Sequence, residues 1–247
     1  MPPAGEPTGV GNSAYPPANA AEPSILFQDQ RFVVLNKPAG LAVHAGSAGG
    51  PSVEDWFPLL SRRKDGPWLA HRLDTDTAGC LVIALRKAAL LAAQALFTSG
   101  QARKTYWAVV RGQPVGDHGT IDAPLIRRST REGWHIAVDP NGQRASTDWR
   151  VMGRGRDTTW LELRPRTGRT HQIRVHCAAM GFPILGDDRY GGGSGALHLL
   201  ARAIALPLMP PLSALAEPPP HMRRALTACG WACETIGLAT ENDRKIS

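Results

Sequence analysis

Residues 71–84 are the part of the sequence best suited to chemistry. They read HRLDTDTAGCLVIA, with polar residues crowded around Asp74 and an apolar run after Gly79. This order predicts a loop that leads into a buried strand. A carboxylate anchored on such a loop, close to the guanidinium of Arg72, can act as a general acid, a base or a nucleophile. The alternative is a structural turn, in which Asp74 or Asp76 only accepts hydrogen bonds from nearby backbone amides.

Residues 164–190 form a second stretch, RPRTGRTHQIRVHCAAMGFPILGDDRY, that is dense in arginine and histidine. Thr167 or Thr170 can cap a helix, and Gly181 followed by Pro183 predicts that this helix ends near Met180. On that helix Arg174 lies beside an apolar stripe and is expected to be half-buried. Because a buried guanidinium without an anionic partner is very costly, we expect Arg174 to pair with the carboxylate of Asp74.

The remaining elements must hold these two stretches in place. Hydrophobic patterning predicts strands at residues 31–35, 103–111, 146–152, 159–163 and 197–200, and two further helices at residues 87–98 and 222–228. Ser52 with Asp55 three residues later predicts a capping box that opens a short helix. Residues 112–143 are typical of a hairpin-rich excursion. Strands that cluster before and after the helices, without regular βαβ alternation, predict an α+β fold.

The composition is that of a soluble globular chain with a basic surface. Its 247 residues are 43% hydrophobic, and its formal net charge is +7 with a pI near 9.7. This charge favours a polyanionic partner such as a nucleic acid. No apolar run approaches the roughly 20 residues needed to span a bilayer, and the first residues lack the pattern of a secretory signal. We therefore expect no membrane association and a cytoplasmic location.

Composition also divides the chain. Residues 1–22 are rich in Pro, Gly, Ala and Asn and are expected to form a disordered leader. Residues 23–238 are predicted to be one domain, and residues 239–247 a polar tail.

The four scattered cysteines indicate reduced thiols rather than a disulfide framework. Cys229 and Cys233 lie one helical turn apart, but without a matching Cys or His pair we predict no metal site.

Three segments carry a family resemblance. HRLDTDTAGCLVIAL, RKTYWAVVRG and RTGRTHQIRVHCAAMGFPILGDDRYG resemble the three sequence motifs of the RluA-type pseudouridine synthases. VVLNKPAGLAVHAG and LHLLARAIAL agree as well, so the resemblance covers roughly residues 25–230. It is closest to the short form of the family, without the N-terminal RNA-binding domain, and Ala78 stands where the family usually has serine. The resemblance implies an α+β fold with a mixed, largely antiparallel sheet, flanking helices and a catalytic cleft across one face.

The resemblance also implies roles for particular residues. Asp74 matches the family's catalytic aspartate, Arg72 the arginine beside it, Tyr106 the active-site tyrosine, and Arg174 the arginine that pairs with the catalytic carboxylate. The implied enzyme is an isomerase that converts specific uridines of structured ribosomal or transfer RNA to pseudouridine. It is expected to act as a monomer with no cofactor and no metal. Whether Asp74 acts as nucleophile or base, and whether Tyr106 transfers a proton or only stacks on uracil, stays open.

Basic residues are the predicted RNA contacts. The target base must leave its stack, and Arg72 is placed in sequence to fill the gap or to hold a phosphate. Arginines 127, 128 and 131 of the excursion either contact phosphates or lie in a solvated loop. The other predicted contacts to the RNA backbone are Lys37, Arg103, Lys104, Arg166, Arg169 and His171.

Two alternatives belong to other functional classes. A basic RNA-binding or chaperone protein of the same fold would use Asp74 and Arg174 only as a structural ion pair. A carboxylate-based hydrolase of nucleosides or glycosides would need a second catalytic carboxylate, for which Asp76 is the nearest candidate.

Overall fold

The structure is a computed structural model that describes residues 22–46, 49–131 and 133–232. These ranges contain twelve strands: β1 (Ser24–Gln28), β2 (Phe32–Lys37), β3 (Trp68–Leu69), β4 (Ala78–Ala84), β5 (Arg103–Arg111), β6 (His118–Asp122), β7 (Leu125–Thr130), β8 (Gly133–Val138), β9 (Ser146–Arg154), β10 (Thr158–Pro165), β11 (Leu199–Leu206) and β12 (Leu212–Leu215). They also contain four α-helices, α1 (Phe57–Leu60), α2 (Lys87–Thr98), α3 (Gln172–Ala179) and α4 (Pro220–Ala228), with a 3-10 helix at Val53–Trp56 before α1. The predicted leader apart from its last residue, the predicted tail and Cys233 lie outside the described residues.

Ten of the strands form one sheet. Its order is β1-β2-β4-β11-β5-β10-β9-β6, with β12 paired to β11 and β3 paired to β4. The pairing of β4 with β11 is parallel, whereas the other pairs of this sheet are antiparallel. Strands β7 and β8 form a separate antiparallel hairpin. The predicted α+β class with a mixed, largely antiparallel sheet is confirmed.

Strand β4 lies near the middle of the sheet and follows the Asp74 loop directly. All seven of its residues are buried, as a run of apolar residues without alternation predicts for a strand covered on both faces. Gly79 has φ +110°, and a Cβ at this position would lie 2.3 Å from the carbonyl oxygen of Ala201 in β11. Only glycine therefore allows β11 to approach β4 this closely.

Helices cover the sheet on opposite faces. Ile173 and Cys177 of α3 pack in one cluster with Leu161 and Leu163 of β10 and other buried residues. On the other side, α2 and α4 contribute Leu90 and Met222, among others, to a cluster that includes Val82 and Trp160. Within the described ranges, no helix is both long and apolar enough to cross a membrane.

Most predicted elements are found, with shifted ends. The bounds predicted for α2 and β5 agree with the structure, while β2, β9, β10 and β11 are longer than predicted. The capping box before α1 is present, since the Ser52 backbone N–H donates to Oδ2 of Asp55 at 2.9 Å. The excursion at residues 112–143 contains β6 and the β7–β8 hairpin, as its turn-rich sequence predicts.

The predicted threonine cap of α3 is wrong. The helix begins at Gln172, after His171, rather than directly after Thr167 or Thr170. Thr167 is engaged elsewhere, because its Oγ1 accepts the Ser146 N–H at 3.1 Å and donates to Oε1 of Gln172 at 2.7 Å. The Gln172 amide in turn donates to the Ser146 carbonyl at 3.0 Å. Contacts to β9, which sequence spacing does not report, thus decide where the helix starts.

Candidate active site

A cavity of about 600 Å³ brings the two chemically dense stretches together. One wall comes from the loop that precedes β4, another from Tyr106 of β5, and a third from the segment that leads from β10 into α3. Eight of the predicted site residues lie along it: Arg72, Asp74, Lys104, Tyr106, Arg166, Arg169, His171 and Arg174.

The Asp74 loop is held from behind by the backbone. The Thr77 N–H donates to the Asp74 carbonyl at 3.1 Å, which closes a turn, and the Gly40 N–H donates to the Thr75 carbonyl at 2.9 Å. Thr77 is buried, whereas the Asp74 side chain keeps 19% of its surface exposed. A turn closed by the backbone carbonyl of Asp74 is therefore present, and the Asp74 side chain lines the cavity.

Lys37 is not an RNA contact in this structure, and that prediction is corrected. Its side chain is fully buried, and Nζ donates to the carbonyls of Pro38, Leu41 and Thr75 at 2.7–2.8 Å. Burial lowers the pKa of Lys37 to about 7, although the Asp76 and Asp74 carboxylates oppose that shift. A side chain in this position fixes the Asp74 loop to β2 and has no surface to offer a phosphate.

Arg174 does not pair directly with Asp74, and that prediction is also wrong. Its Nε donates to Oδ2 of Asp187 at 2.9 Å and its Nη2 to Oδ1 at 2.8 Å. The two side chains are 5% and 0% exposed. The backbone N–H groups of Arg189 and Tyr190 also donate to Oδ1 of Asp187, at 3.1 and 3.0 Å. Burial raises the pKa of Asp187, but the Arg174 guanidinium and these amides outweigh burial and hold it below its ordinary value.

Tyr106 lies in the wall of the cavity and packs against two of the hydrophobic clusters. Burial raises its pKa above the ordinary value of a phenol, and the nearby Asp74 carboxylate and Cys80 raise it further. The hydroxyl is therefore protonated at neutral pH, so a resting phenolate is not available as a base.

His171 is the described residue with an ionisable cationic side chain within 4 Å of the Asp74 carboxylate. Its Nε2 lies 3.9 Å from Oδ1 of Asp74, and its side chain is 10% exposed. Its Nδ1 lies 2.7 Å from the hydroxyl of Tyr190, and its ring stacks on Trp134 with centroids 5.3 Å apart. Burial lowers the pKa of His171, although the Asp74 carboxylate opposes that shift. We predicted this residue as an RNA contact; the structure places it in the cavity wall beside Asp74, and the RNA contact stays a prediction.

The remaining predicted RNA contacts divide into two groups. Arg72, Arg166 and Arg169 are exposed and line the cavity, and Lys104 lines it while donating to the Thr167 carbonyl at 3.1 Å. Arg103 is exposed at the start of β5 but does not line the cavity.

His71 is a site residue that sequence reasoning missed. It lines the cavity, its Nε2 accepts the Val82 N–H at 3.0 Å, and its ring packs 4.9 Å from that of Phe97. Burial lowers the pKa of His71 to about 4, with a smaller contribution from the charge of Lys104. The signal was available, since His71 is the first residue of the stretch that contains Asp74.

The low pKa of His71 predicts that the free energy of unfolding falls in acid. The unfolded chain binds the proton near pH 6.5, whereas the folded chain does so near pH 4. Stability is therefore lost as pH falls between these values, by up to about 3 kcal/mol. In His71→Gln the amide oxygen can still accept the Val82 N–H but cannot titrate. Urea unfolding at about pH 7 and about pH 4.5 should show a smaller loss in the variant than in the wild type, and equal losses would contradict the assignment.

The described residues include no cluster of three or more His, Cys, Asp or Glu side chains placed to hold a metal ion. The site offers instead one carboxylate in a cavity with several guanidinium groups, an arrangement suited to a phosphate-bearing substrate.

Comparisons with known proteins identify the family of this chain. A family model described as RNA pseudouridylate synthase matches residues 31–179. The chain is 40% identical over 170 residues to an uncharacterized RNA pseudouridine synthase of Zymomonas mobilis, covering 68% of this chain and 78% of that protein. It is 37% identical over 170 residues to ribosomal large subunit pseudouridine synthase C of Vibrio cholerae, covering 69% of this chain and 53% of that protein.

A solved structure of a related protein also matches this chain. The structure of human RNA pseudouridylate synthase domain containing 4 matches with a TM-score of 0.71 and 30% sequence identity, covering 84% of this chain and 93% of that one. The matched family model spans more than half of the chain and includes both Asp74 and Arg174. The chain therefore belongs to the RluA-type family of RNA pseudouridine synthases, isomerases that make pseudouridine in RNA.

Proposed function

We propose that this chain converts specific uridines of ribosomal or transfer RNA to pseudouridine, with Asp74 as the catalytic carboxylate. The observation that carries the proposal is the cavity, whose lining includes the Asp74 carboxylate, the Tyr106 ring and four arginines. The relative from Vibrio cholerae is named for the ribosomal large subunit, which makes ribosomal RNA the first substrate to test. In this proposal the protein acts in the cytoplasm as a monomer and needs no cofactor.

The reaction is an isomerisation in which every heavy atom of the nucleotide is retained and one proton is exchanged. The bond between C1′ of the ribose and N1 of uracil breaks, the base turns, and C1′ is rejoined to C5. The proton of C5 is lost and N1 carries a proton in the product. Asp74 is placed either to attack C1′ or the ring, or to remove a ribose proton in an elimination route. Each route requires an ionised carboxylate that can reach a nucleoside from the cavity wall.

Tyr106 is proposed to stack on the uracil ring and to limit its movement. The raised pKa of its hydroxyl supports this role, because a protonated phenol packs against a base but does not accept the C5 proton. Removing the ring is expected to impair the turning of the base more than the binding of RNA.

The nucleotide must leave its stack before it can reach Asp74, since the cavity is lined by side chains on several sides. Arg72 is exposed at the cavity wall two residues from Asp74. We assign it to the space left by the displaced base or to an adjacent phosphate. Arg166 and Arg169 lie on the opposite stretch and would hold the RNA backbone there.

The proposal is tested by incubating the purified protein with cellular RNA that lacks its modification and mapping new pseudouridines. Pseudouridine at discrete positions supports the proposal. RNA that is bound but unchanged would instead support the non-catalytic RNA-binding alternative, and release of free uracil would support the hydrolase. RNA from cells without the gene gives the cleanest substrate, since its target uridines are unmodified.

The cavity arginines should dominate RNA affinity. Replacing both Arg166 and Arg169 with alanine is expected to weaken binding at low salt and to reduce the slope of log K against log salt by about 2, because two phosphate contacts are lost. Fluorescence anisotropy across a salt series measures both quantities. Arg224→Ala on α4 is the matched control, since this exposed arginine lies on the far side of the sheet. An equal effect of the control would show that only net charge matters.

A further inference from the structure

The backbone at His171 is strained. Within the described residues, His171 is the one residue other than glycine with a positive φ, +53°. This left-handed conformation is unfavourable for most side chains and is preserved where the surrounding structure demands it, often at functional sites. In this conformation His171 directly precedes the first residue of α3, and its Nε2 lies 3.9 Å from Oδ1 of Asp74.

The hydrogen-bond partners of the ring favour one tautomer. The Ile136 N–H donates to the Tyr190 hydroxyl at 3.2 Å, so that hydroxyl has its own proton free to donate to Nδ1 of His171, 2.7 Å away. A neutral imidazole whose Nδ1 accepts a hydrogen bond carries its proton on Nε2. Nε2 is the nitrogen that lies 3.9 Å from Oδ1 of Asp74.

We propose that His171 is a positioning residue: its neutral ring donates a hydrogen bond from Nε2 to Asp74 and holds the carboxylate toward the target nucleoside. The present separation exceeds a hydrogen bond by about 1 Å, a difference typical of catalytic contacts that tighten only when substrate is bound. With Nδ1 occupied and Nε2 protonated, His171 has no free lone pair and does not act as the base. The proposal rests on the proposed function, because it assigns the orientation of the catalytic carboxylate.

The β7–β8 hairpin keeps His171 in this arrangement. Trp134 of β8 stacks on the His171 ring, and the guanidinium of Arg127 lies 4.6 Å from the centroid of the Trp134 ring. Arg189 lies over the same ring at 5.0 Å. The hairpin lies outside the main sheet, but it contacts the His171 ring directly through Trp134 and indirectly through Tyr190.

Two variants separate the hydrogen bond from the backbone strain. In His171→Gln the amide nitrogen can occupy the place of Nε2 and donate to Asp74. In His171→Asn the side chain is too short to do so, although asparagine tolerates the left-handed backbone better. We expect kcat of the Gln variant within about 3-fold of wild type and kcat of the Asn variant lower by about 10- to 100-fold, with KM for RNA nearly unchanged in both.

If His171 had only a structural role, the Asn variant would be more active than the Gln variant. If backbone strain alone mattered, the Asn variant would be at least as active and as stable as the Gln variant, and that result overturns the proposal. A raised KM with unchanged kcat in the Asn variant overturns it too, since it would make His171 an RNA contact. Thermal unfolding of both variants confirms that the compared proteins are folded.

The tautomer can be measured without any activity. Nitrogen-15 spectra of the histidine side chains, with the His171 signals assigned by their loss in the Gln variant, should show a neutral ring protonated on Nε2 at neutral pH. Tyr190→Phe removes the hydroxyl and should shift the ring toward the other tautomer. A wild-type ring protonated on Nδ1, or on both nitrogens, overturns the proposal. If the wild-type protein makes no pseudouridine, the proposed function fails, whereas the tautomer assignment stands or falls by these spectra.

Discussion

Asp74→Asn is expected to reduce pseudouridine formation by about 10³-fold or more while leaving the Kd for RNA within about 3-fold. The amide has nearly the shape of the carboxylate and can keep a hydrogen bond from His171, but it can neither attack carbon nor accept a proton. Quantifying pseudouridine after single-turnover reaction with unmodified RNA gives the rate, and anisotropy gives the affinity.

Asp76→Asn is the matched control for that substitution. Asp76 lies two residues away in the same loop but is exposed and does not line the cavity. Its variant should keep a rate within a few-fold of wild type, because Asp76 then has only a supporting place in the loop. Near wild-type turnover by Asp74→Asn would exclude carboxylate chemistry at this position, and equal losses in both variants would indicate a general disturbance of the loop.

The second large effect is expected at the buried ion pair. Arg174→Met should lower the free energy of unfolding by about 3–5 kcal/mol, because it leaves the Asp187 carboxylate buried without its cation. Activity should fall as well, since α3 and the following turn form part of the cavity wall. Urea unfolding at neutral pH measures the loss. Arg169→Met, at an exposed arginine five residues earlier, is the control and should change stability by less than about 0.5 kcal/mol.

The pH dependence of this variant shows whether Arg174 pairs with a carboxylate, and a second substitution identifies that carboxylate as Asp187. In the wild type the pKa of Asp187 is lowered, so its contribution is present at neutral pH and is lost as pH falls through that pKa. In Arg174→Met burial alone would raise the pKa of Asp187, so protonation would relieve the penalty as pH falls. The stability gap between the two proteins should therefore narrow toward acid. Asp187→Leu combined with Arg174→Met should recover much of the loss at neutral pH, and no recovery would argue against this pairing.

Local patterns were enough to predict the elements that do not depend on distant contacts. Helix α2 consists of strong helix formers followed by Ser99 and Gly100, and β5 alternates regularly, so both ends of each were predicted. The start of α3 was not, because Thr167 is drawn into hydrogen bonds with Ser146 and Gln172. A side chain that hydrogen-bonds to two different elements cannot be recognised from the hydrophobic periodicity of either element.

The site shows the same division. The motifs identified eight of the residues that line the cavity, but not which of them touch each other. Arg174 was predicted to pair with Asp74, whereas the structure pairs it with Asp187. Asp187 lies thirteen residues along the chain and also accepts hydrogen bonds from two backbone amides. Lys37 was assigned to RNA because it is a lysine in a basic protein. Its burial follows from the fold of the LNKPAG turn, where three carbonyls converge on its ammonium.

The position of β11 in the sheet has a consequence for how the enzyme becomes active. β11 lies between β4 and β5, although it follows them in the chain by roughly a hundred residues. Such non-local pairing requires a large loop to close, which is costly in entropy and slows folding. During synthesis the Asp74 loop therefore leaves the ribosome long before the strand that completes its support. The nascent chain cannot assemble the cavity until β11, which contributes Leu199 to its lining, has been made. Under the proposed function, an incomplete chain is therefore inactive.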